Sequence, residues 1–146
     1  RGEVFLCHGS PVDDASYWLD RVTDAGHIRA STLEEIEAES QGVAAPLILC
    51  GHTHIPRVAR LTDGRMVVNP GSVGLPGYES KAPVPHIVET GTPDACYAIL
   101  EQSGRRWRVS FRHVPYECMP MADMARRNGM AGWASALATG WIRRRA

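Results

Sequence analysis

Two short apolar runs and a helical pattern between them organise the first fifty residues. "EVFLCH" at 3–8 is mostly apolar or β-favouring and ends at the turn-like "GSP", which predicts a buried strand. "PLILCG" at 46–51 contains four consecutive apolar residues, which predicts a strand buried on both faces, as in a parallel sheet. Between them, Ser31 or Thr32 can cap a helix through "LEEIEAES", and "SYWLDRV" predicts a shorter helix. This order predicts a βαβ unit.

After Pro56 the pattern changes to pairs of strands joined by short turns. "RVARLT" and "RMVVNP" flank an Asp-Gly turn signal, and "ACYAILEQ" and "RRWRVSFRHV" flank a Ser-Gly pair. In the last segment every second residue is apolar, at Trp107, Val109 and Phe111. Two hairpins after a βαβ unit predict a mixed α/β fold, with a mixed sheet or two packed sheets.

The segment 74–94 between the hairpins contains three glycines and four prolines. This composition predicts a long loop without regular structure, and such loops are usually functional or disordered. Tyr78, Lys81 and His86 make it a candidate substrate-side element, and the alternative is a flexible surface insertion.

The C-terminal pattern predicts two helices, at 118–128 and 132–143. In the second helix Trp133, Leu137 and Trp141 fall at i, i+4 and i+8. This spacing predicts one apolar stripe that packs on the sheet.

Length and composition limit the classes of function. A chain of 146 residues with 44% hydrophobic and 22% charged residues fits one globular domain, and its formal net charge of zero argues against specific nucleic-acid binding. The most apolar C-terminal stretch, "MAGWASALATGWI", is shorter than the roughly 20 residues that span a bilayer, so no membrane segment is expected.

Charge and cysteine usage add little to this picture. The basic tail "WIRRRA" is interpreted as a solvated helix end, with an anionic lipid or nucleic-acid contact as the alternative. The four cysteines form no C-x-x-C pair and no charged leader with an apolar segment precedes them, so we expect a reducing, cytoplasmic setting.

Histidines follow both apolar runs. On an extended chain His52 and His54 would point to the same side, and His8 follows the first strand in the equivalent place. Because the carboxyl ends of parallel strands lie side by side, three imidazoles can meet there, and neutral imidazole is a common metal ligand. The alternative is hydrogen-bonded core or surface histidines. His27, His86 and His113 have no partner at ligand spacing and are interpreted as structural or exposed.

Two further motifs have competing interpretations. A Cys2His2 zinc site could use Cys7 and Cys50 with His8 and His52, but neighbours on a strand point to opposite faces, which favours buried thiols. "NPGSVG" at 69–74 fits either a nest of N–H groups that cradles a phosphate or a Pro-Gly turn that ends a hairpin strand.

"FLCHGSP", "LILCGHTHIP", "VVNPGSVG", "ACYAILE" and "NGMAGWASALATG" together resemble the calcineurin-like metallophosphoesterases, nearest to their bacterial phosphodiesterase and diadenosine-tetraphosphatase-like branch. The resemblance implies a four-layer α/β/β/α sandwich with a dinuclear metal centre, in which His8 and His52 bind one ion and His54 the other. It implies hydrolysis of a phosphomonoester or phosphodiester, including nucleotides, with two divalent ions. Manganese is the first expectation, and iron, zinc, cobalt and nickel are the alternatives.

Three motifs of that family are missing: Asp-x-His, Gly-Asp, and Gly-Asn-His followed by Asp or Glu. By the resemblance these provide the carboxylates, an Asn ligand and the acid-base histidine. We therefore expect residues 1–146 to be the C-terminal part of a single domain. Typical domain sizes lead us to expect that roughly 90 to 100 N-terminal residues are absent. Alone it would be inactive, and its protein partner would be the missing half or a second copy. The alternatives are a non-catalytic scaffold on the same fold and a structural zinc module.

Overall fold

The structure, a computed structural model, describes residues 2–104 and 106–143. These residues form ten strands and three helices: β1 (Val4–Leu6), β2 (Asp20–Val22), β3 (Ile28–Ala30), α1 (Leu33–Glu39), β4 (Leu47–Leu49), β5 (Arg57–Arg60), β6 (Met66–Asn69), β7 (Gly77–Ser80), β8 (His86–Glu89), β9 (Ala95–Ser103), β10 (Arg106–Val114), α2 (Met119–Arg127) and α3 (Ala131–Thr139). The predicted mixed α/β fold is confirmed.

A four-stranded sheet in the order β1-β4-β6-β5 forms the centre of the fold. Strands β1, β4 and β6 run parallel, and β5 returns antiparallel to β6 through the predicted Asp-Gly turn. Ile48 of β4 and Val67 of β6 are register partners and are both fully buried. The apolar run around Ile48 therefore forms the buried parallel strand that its sequence predicts.

Helix α1 lies in the crossover between the parallel strands β1 and β4. Thr32 is its N-cap and accepts a hydrogen bond from the Glu35 N–H, while the Glu35 carboxylate accepts one from the Thr32 N–H. This reciprocal capping box satisfies two helix N–H groups and explains why the helix starts here. The predicted cap and helix are confirmed.

The predicted helix at "SYWLDRV" is wrong. Trp18 and Leu19 lie in the core, Asp20 is also buried, and Asp20–Val22 pairs antiparallel with β3. Three consecutive buried side chains do not fit one face of a surface helix. Trp18 and Leu19 precede β2, and only the last three residues of the segment form one arm of a small hairpin.

The central sheet is covered on both faces. On one face the apolar side of the β9–β10 hairpin packs on Leu47, Met66 and Val68, and Trp107, Val109 and Phe111 lie in this contact as their alternation predicts. On the other face lie Trp18, Leu19 and Ile36. The β9–β10 hairpin, the central sheet, and helix α1 with the segment around Trp18 therefore form packed layers.

The prediction that the segment 74–94 lacks regular structure is wrong. Residues Gly77–Ser80 and His86–Glu89 form the antiparallel hairpin β7–β8. The prolines lie outside its two strands, so they interrupt the loops and not the pairing. Tyr78 and His86, which the sequence places in a loop, therefore lie on paired strands.

Both C-terminal helices are confirmed, but the tryptophan stripe is not. Trp133 and Trp141 are about half exposed, and Trp141 lies beyond the end of α3. Small residues, Ala122, Ala125 and Ala134, pack with Leu137 between α2 and α3 instead. Among the described residues, no helix is long and apolar enough to cross a bilayer. Residues 144–146 of the basic tail lie outside the described residues.

Candidate metal centre

The "GHTH" loop follows β4 and turns sharply at its first histidine. The Thr53 N–H donates to the Gly51 carbonyl at 2.8 Å, which closes a three-residue turn around His52. His52 and His54 both have left-handed backbone conformations, with φ of 66° and 62°. The predicted extended geometry of this pair is therefore wrong. Non-glycine residues in sparsely populated conformations cost about 1 to 3 kcal/mol and cluster at active sites, ligand clamps and switch regions.

Buried polar side chains hold this turn in place. The Asn69 amide donates to the Gly51 carbonyl at 2.7 Å and to Thr53 Oγ1 at 3.0 Å. Thr53 Oγ1 in turn donates to the carboxylate of Asp20 at 3.1 Å, and Arg57 donates to the other oxygen of that carboxylate. Asn69, Thr53 and Asp20 are each at most 2% exposed. This network ties the "GHTH" loop to the asparagine of "NPGS".

His8 and His52 are brought into direct contact. The Gly51 N–H donates to the His8 carbonyl at 2.7 Å, which ties the end of β1 to the end of β4. His52 Nδ1 and His8 Nε2 then lie 3.2 Å apart, and the two rings meet edge to face. The parallel pairing of β1 with β4 thus places two imidazoles side by side, as the sequence predicts for neighbouring strand ends.

Partial burial lowers the pKa of His52, and the neighbouring His8 and His54 lower it further. A lowered pKa favours the neutral ring at physiological pH. Neutral imidazole is the protonation state that binds metal ions.

His54 makes contacts that differ from those of this pair. Its Nδ1 donates to the Leu75 carbonyl at 2.7 Å, and its ring packs edge to face on Tyr78. A hydrogen bond from one ring nitrogen to a carbonyl fixes the tautomer and leaves Nε2 as the free lone pair, which is typical of metal-binding histidines. Within the described residues, no three His, Cys, Asp or Glu side chains surround a common point.

A hydrogen-bonded chain next to the histidines was missed by sequence reasoning. Tyr78 donates to the hydroxyl of Tyr17 at 2.8 Å, and the Tyr17 hydroxyl lies 2.8 Å from His86 Nε2. Because His86 Nδ1 donates to the Val84 carbonyl, its Nε2 accepts the Tyr17 proton. His86 is buried, so its interpretation as a structural histidine holds. No local pattern links residues 17, 78 and 86, which come together only in the fold.

Of the two cysteines near this region, Cys50 is buried and Cys7 is half-buried against the same core cluster. Burial, followed by the charge of Asp14, raises the pKa of Cys7 to about 11, and burial also raises the pKa of Cys50. All four cysteines are free. Protonated thiols with raised pKa values are poor metal ligands, which agrees with the interpretation as core side chains.

"NPGSVG" forms a turn that supports the neighbouring loops. The Gly71 N–H donates to Asn69 Oδ1, and the N–H groups of Gly74 and Leu75 donate to Ser72 Oγ. These internal hydrogen bonds use N–H groups that a phosphate nest would need. The turn interpretation is therefore the one that the structure favours.

Comparison with known families identifies the fold. A family model described as "Calcineurin-like phosphoesterase superfamily domain" matches residues 2–92. The chain belongs to this superfamily. Its members are generally hydrolases and typically bind divalent metals.

Two solved structures are similar to this calcineurin-like phosphoesterase chain. One is a metallophosphoesterase from Sphaerobacter thermophilus, 24% identical with a TM-score of 0.62, and the match covers 96% of this chain and 56% of the other. The second is a hypothetical protein from Pyrococcus horikoshii OT3, 20% identical with a TM-score of 0.62, with 96% and 47% covered. The chain thus spans about half the length of these structures. Comparison with curated proteins gave no match.

The separation of His52 Nδ1 and His8 Nε2 is that of a hydrogen bond, and it is also close to the separation of two ligands on one metal ion. Two imidazole nitrogens bound tetrahedrally to one ion at about 2.0 to 2.1 Å lie about 3.3 to 3.4 Å apart, close to the 3.2 Å between His52 Nδ1 and His8 Nε2. Nearby carboxylates do not complete such a site. Both oxygens of Asp20 are bonded to Arg57 and Thr53, and one oxygen of Asp13 accepts the Ala15 N–H.

Proposed function

We propose that the chain provides the histidine side of a metal-dependent phosphoesterase centre, with His8, His52 and His54 as metal ligands. The observation that supports this most strongly is the contact between His8 and His52, at a separation that suits two ligands of one ion. His54, with its Nε2 free, would bind the second ion. The bound ions would act as Lewis acids on the phosphate and activate water.

The residues of this chain would bind and orient the ions. The neutral ring of His52 needs no deprotonation to act as a ligand, since its pKa is already lowered. The Asn69 and Thr53 hydrogen bonds hold the loop in the strained conformation that both histidines require. The substrate would be a phosphodiester or phosphomonoester, including nucleotides, as in the bacterial phosphodiesterase branch. Manganese is the ion we expect first, in a cytoplasmic protein.

The 146 residues are proposed to be inactive alone. Three neutral imidazoles do not balance the charge of two divalent ions, and a dinuclear centre also needs carboxylates that bridge the ions. We propose that another polypeptide segment provides these carboxylates and the acid-base histidine. Either this segment or a second copy would be the protein partner.

The test is hydrolysis of bis(p-nitrophenyl) phosphate with Mn²⁺. The 146-residue chain is compared with a longer chain that includes the polypeptide encoded directly before Arg1. We expect activity in the longer chain alone, its loss in His52→Ala and His54→Ala, and its retention in the exposed-histidine control His27→Ala. Equal rates in His52→Ala and the parent would reject the assignment of His52 as a metal ligand. Full activity of the 146-residue chain would reject the proposal that it is inactive alone.

A non-catalytic scaffold is the second candidate, and the free edge of the central sheet favours it. Strand β1 pairs with β4 on one side, and its Val4 and Leu6 side chains are 44% and 71% exposed. Such an edge can pair with a strand of a partner protein. A longer chain that carries the missing motifs but hydrolyses no phosphoester would support the scaffold over the enzyme.

A further inference from the structure

A cavity opens directly beside His52. It has a volume of 620 Å³ and lies between the β2 region and the β7–β8 hairpin. Tyr17 and Tyr78 are among its lining residues, and the Tyr17 ring contacts the His52 ring edge to face with centroids 5.0 Å apart. A molecule whose phosphate lies at the histidines would therefore place its organic part in this cavity.

The polar groups of the two tyrosines are not available to a ligand in this cavity. Tyr78 donates to Tyr17, and Tyr17 donates to His86. Burial raises the pKa of both phenols, so they stay protonated at neutral pH. A ligand in the cavity would therefore contact the faces of the two tyrosine rings, together with the apolar side chains of Val22 and Pro83.

The positive charge of Arg21 in the cavity wall is already neutralised. Arg21 forms an ion pair with Glu39 and also donates to the Tyr17 carbonyl. The other charged lining residue, Glu79, is acidic and exposed. A wall of this charge does not favour a second phosphate or another anionic group. It favours an uncharged, flat group that can stack on aromatic rings.

We propose that this cavity binds the aromatic part of the phosphoester substrate. The proposal rests on the proposed function, because the phosphate is assigned to the histidines. It narrows the substrate class to esters with an uncharged aromatic group next to the phosphate, either a small aryl group or a nucleobase.

The experiment follows backbone amide NMR signals of the 146-residue chain during titration with phenyl phosphate, with glycerol 1-phosphate as the non-aromatic probe. We expect phenyl phosphate to shift the amides of Ala15, Val22 and Ser80, and to bind at least about tenfold more tightly than glycerol 1-phosphate. Adenosine monophosphate is the third probe. A response to it supports a nucleobase, and a response to phenyl phosphate alone supports a small aryl group.

A blocking variant tests the location. Ala15 is exposed at the cavity wall, so Ala15→Trp fills the cavity without disturbing the core, and Ala44→Trp places the same side chain at an exposed site elsewhere. We expect Ala15→Trp to weaken phenyl phosphate binding by about tenfold and Ala44→Trp to leave it unchanged. Signals outside the cavity report whether the variant is folded. Equal shifts with glycerol 1-phosphate, or an unchanged response in folded Ala15→Trp, would overturn the proposal.

This outcome is separable from that of the proposed function. Phenyl phosphate binding at these amides in a chain whose histidines bind no Mn²⁺ would keep the cavity and reject the metal centre. Mn²⁺ binding at the histidines without preference for the aromatic probe would support the metal centre and reject the proposal for the cavity.

Discussion

The side-chain amide of Asn69 donates a hydrogen bond to the carbonyl of Gly51 at 2.7 Å, and this contact links the "NPGS" turn to the "GHTH" loop. Asn69 is the last residue of β6 and Gly51 lies two residues after the end of β4, so the contact connects the ends of two parallel strands. It holds the residue that precedes the strained His52.

We expect Asn69→Ala to lower the free energy of unfolding by about 1 to 3 kcal/mol, because the half-buried Gly51 carbonyl and the buried Thr53 hydroxyl each lose a donor. Urea unfolding measures this change. Asn128→Ala is the matched control, since Asn128 is exposed at the end of α2, and its expected effect is within about 0.5 kcal/mol. Equal effects of the two substitutions would contradict the role of Asn69.

The tyrosine pair should show energetic coupling. Tyr17→Phe and Tyr78→Phe each remove one partner of the 2.8 Å hydroxyl contact. A double-mutant cycle by urea unfolding should therefore give a coupling free energy of about 0.5 to 1.5 kcal/mol. Combining Tyr78→Phe with Tyr97→Phe, on the distant strand β9, should give additive effects. Additivity in the Tyr17 and Tyr78 cycle would mean that the hydroxyl contact adds no stability.

Stability should depend on pH through Glu35. Hydrogen bonds from the Arg29 side chain and then from the Thr32 N–H lower its pKa from 4.5 to about 2. A lowered folded pKa means that this contribution is present above pH 4.5 and is lost as the pH falls towards 2.

Glu35→Gln retains a capping side chain and should reduce the loss of stability between pH 4.5 and about 2. Urea midpoints measured across this range test the expectation. Glu101→Gln, on strand β9, is the control and should follow the parent. If Glu35→Gln loses stability with acid as steeply as the parent, the assignment to Glu35 is wrong.

Substitution of two glycines at the ends of the C-terminal helices can distinguish the cost of backbone strain from the cost of a steric clash. Gly129 and Gly140 have similar left-handed conformations, with φ of 73° and 79°. A Cβ atom at Gly129 would meet open space, whereas one at Gly140 would collide with the backbone of Thr92 and Gly91.

Gly129→Ala should therefore destabilise the fold by about 1 to 2 kcal/mol through strain alone. Gly140→Ala should cost at least about 1 kcal/mol more, because α3 must shift away from the neighbouring loop. Thermal or urea unfolding of both variants measures the difference. Equal losses would show that the loop yields to the added methyl group without cost.

Local sequence patterns predicted the parts of the fold in which burial and periodicity agree. The run around Ile48 and the alternation at Trp107, Val109 and Phe111 each match the face that is buried. The pattern failed at Trp18, Leu19 and Asp20, since Asp20 is buried only because the distant Arg57 and Thr53 pair with it. A partner 37 residues away leaves no periodic signal.

The candidate site was predicted in residues but not in geometry. His8 and His52 meet because β1 and β4 run parallel, which the apolar runs indicate. The left-handed conformations of His52 and His54 depend on hydrogen bonds from Asn69 and within the loop, so an extended chain was the wrong starting point. Tyr17 lies 61 residues before Tyr78 in sequence, and only the folded chain brings it to Tyr78 and His86.

The most direct test of the metal centre is Mn²⁺ broadening of the imidazole NMR signals of the 146-residue chain. A paramagnetic ion broadens nearby signals even when it binds weakly, and the exposed His27 is an internal control. We expect small amounts of Mn²⁺ to broaden His8, His52 and His54 first, and His8→Ala combined with His52→Ala to remove the effect. Broadening of His27 to the same extent, or none at the three histidines, would contradict the assignment of this cluster as a metal centre.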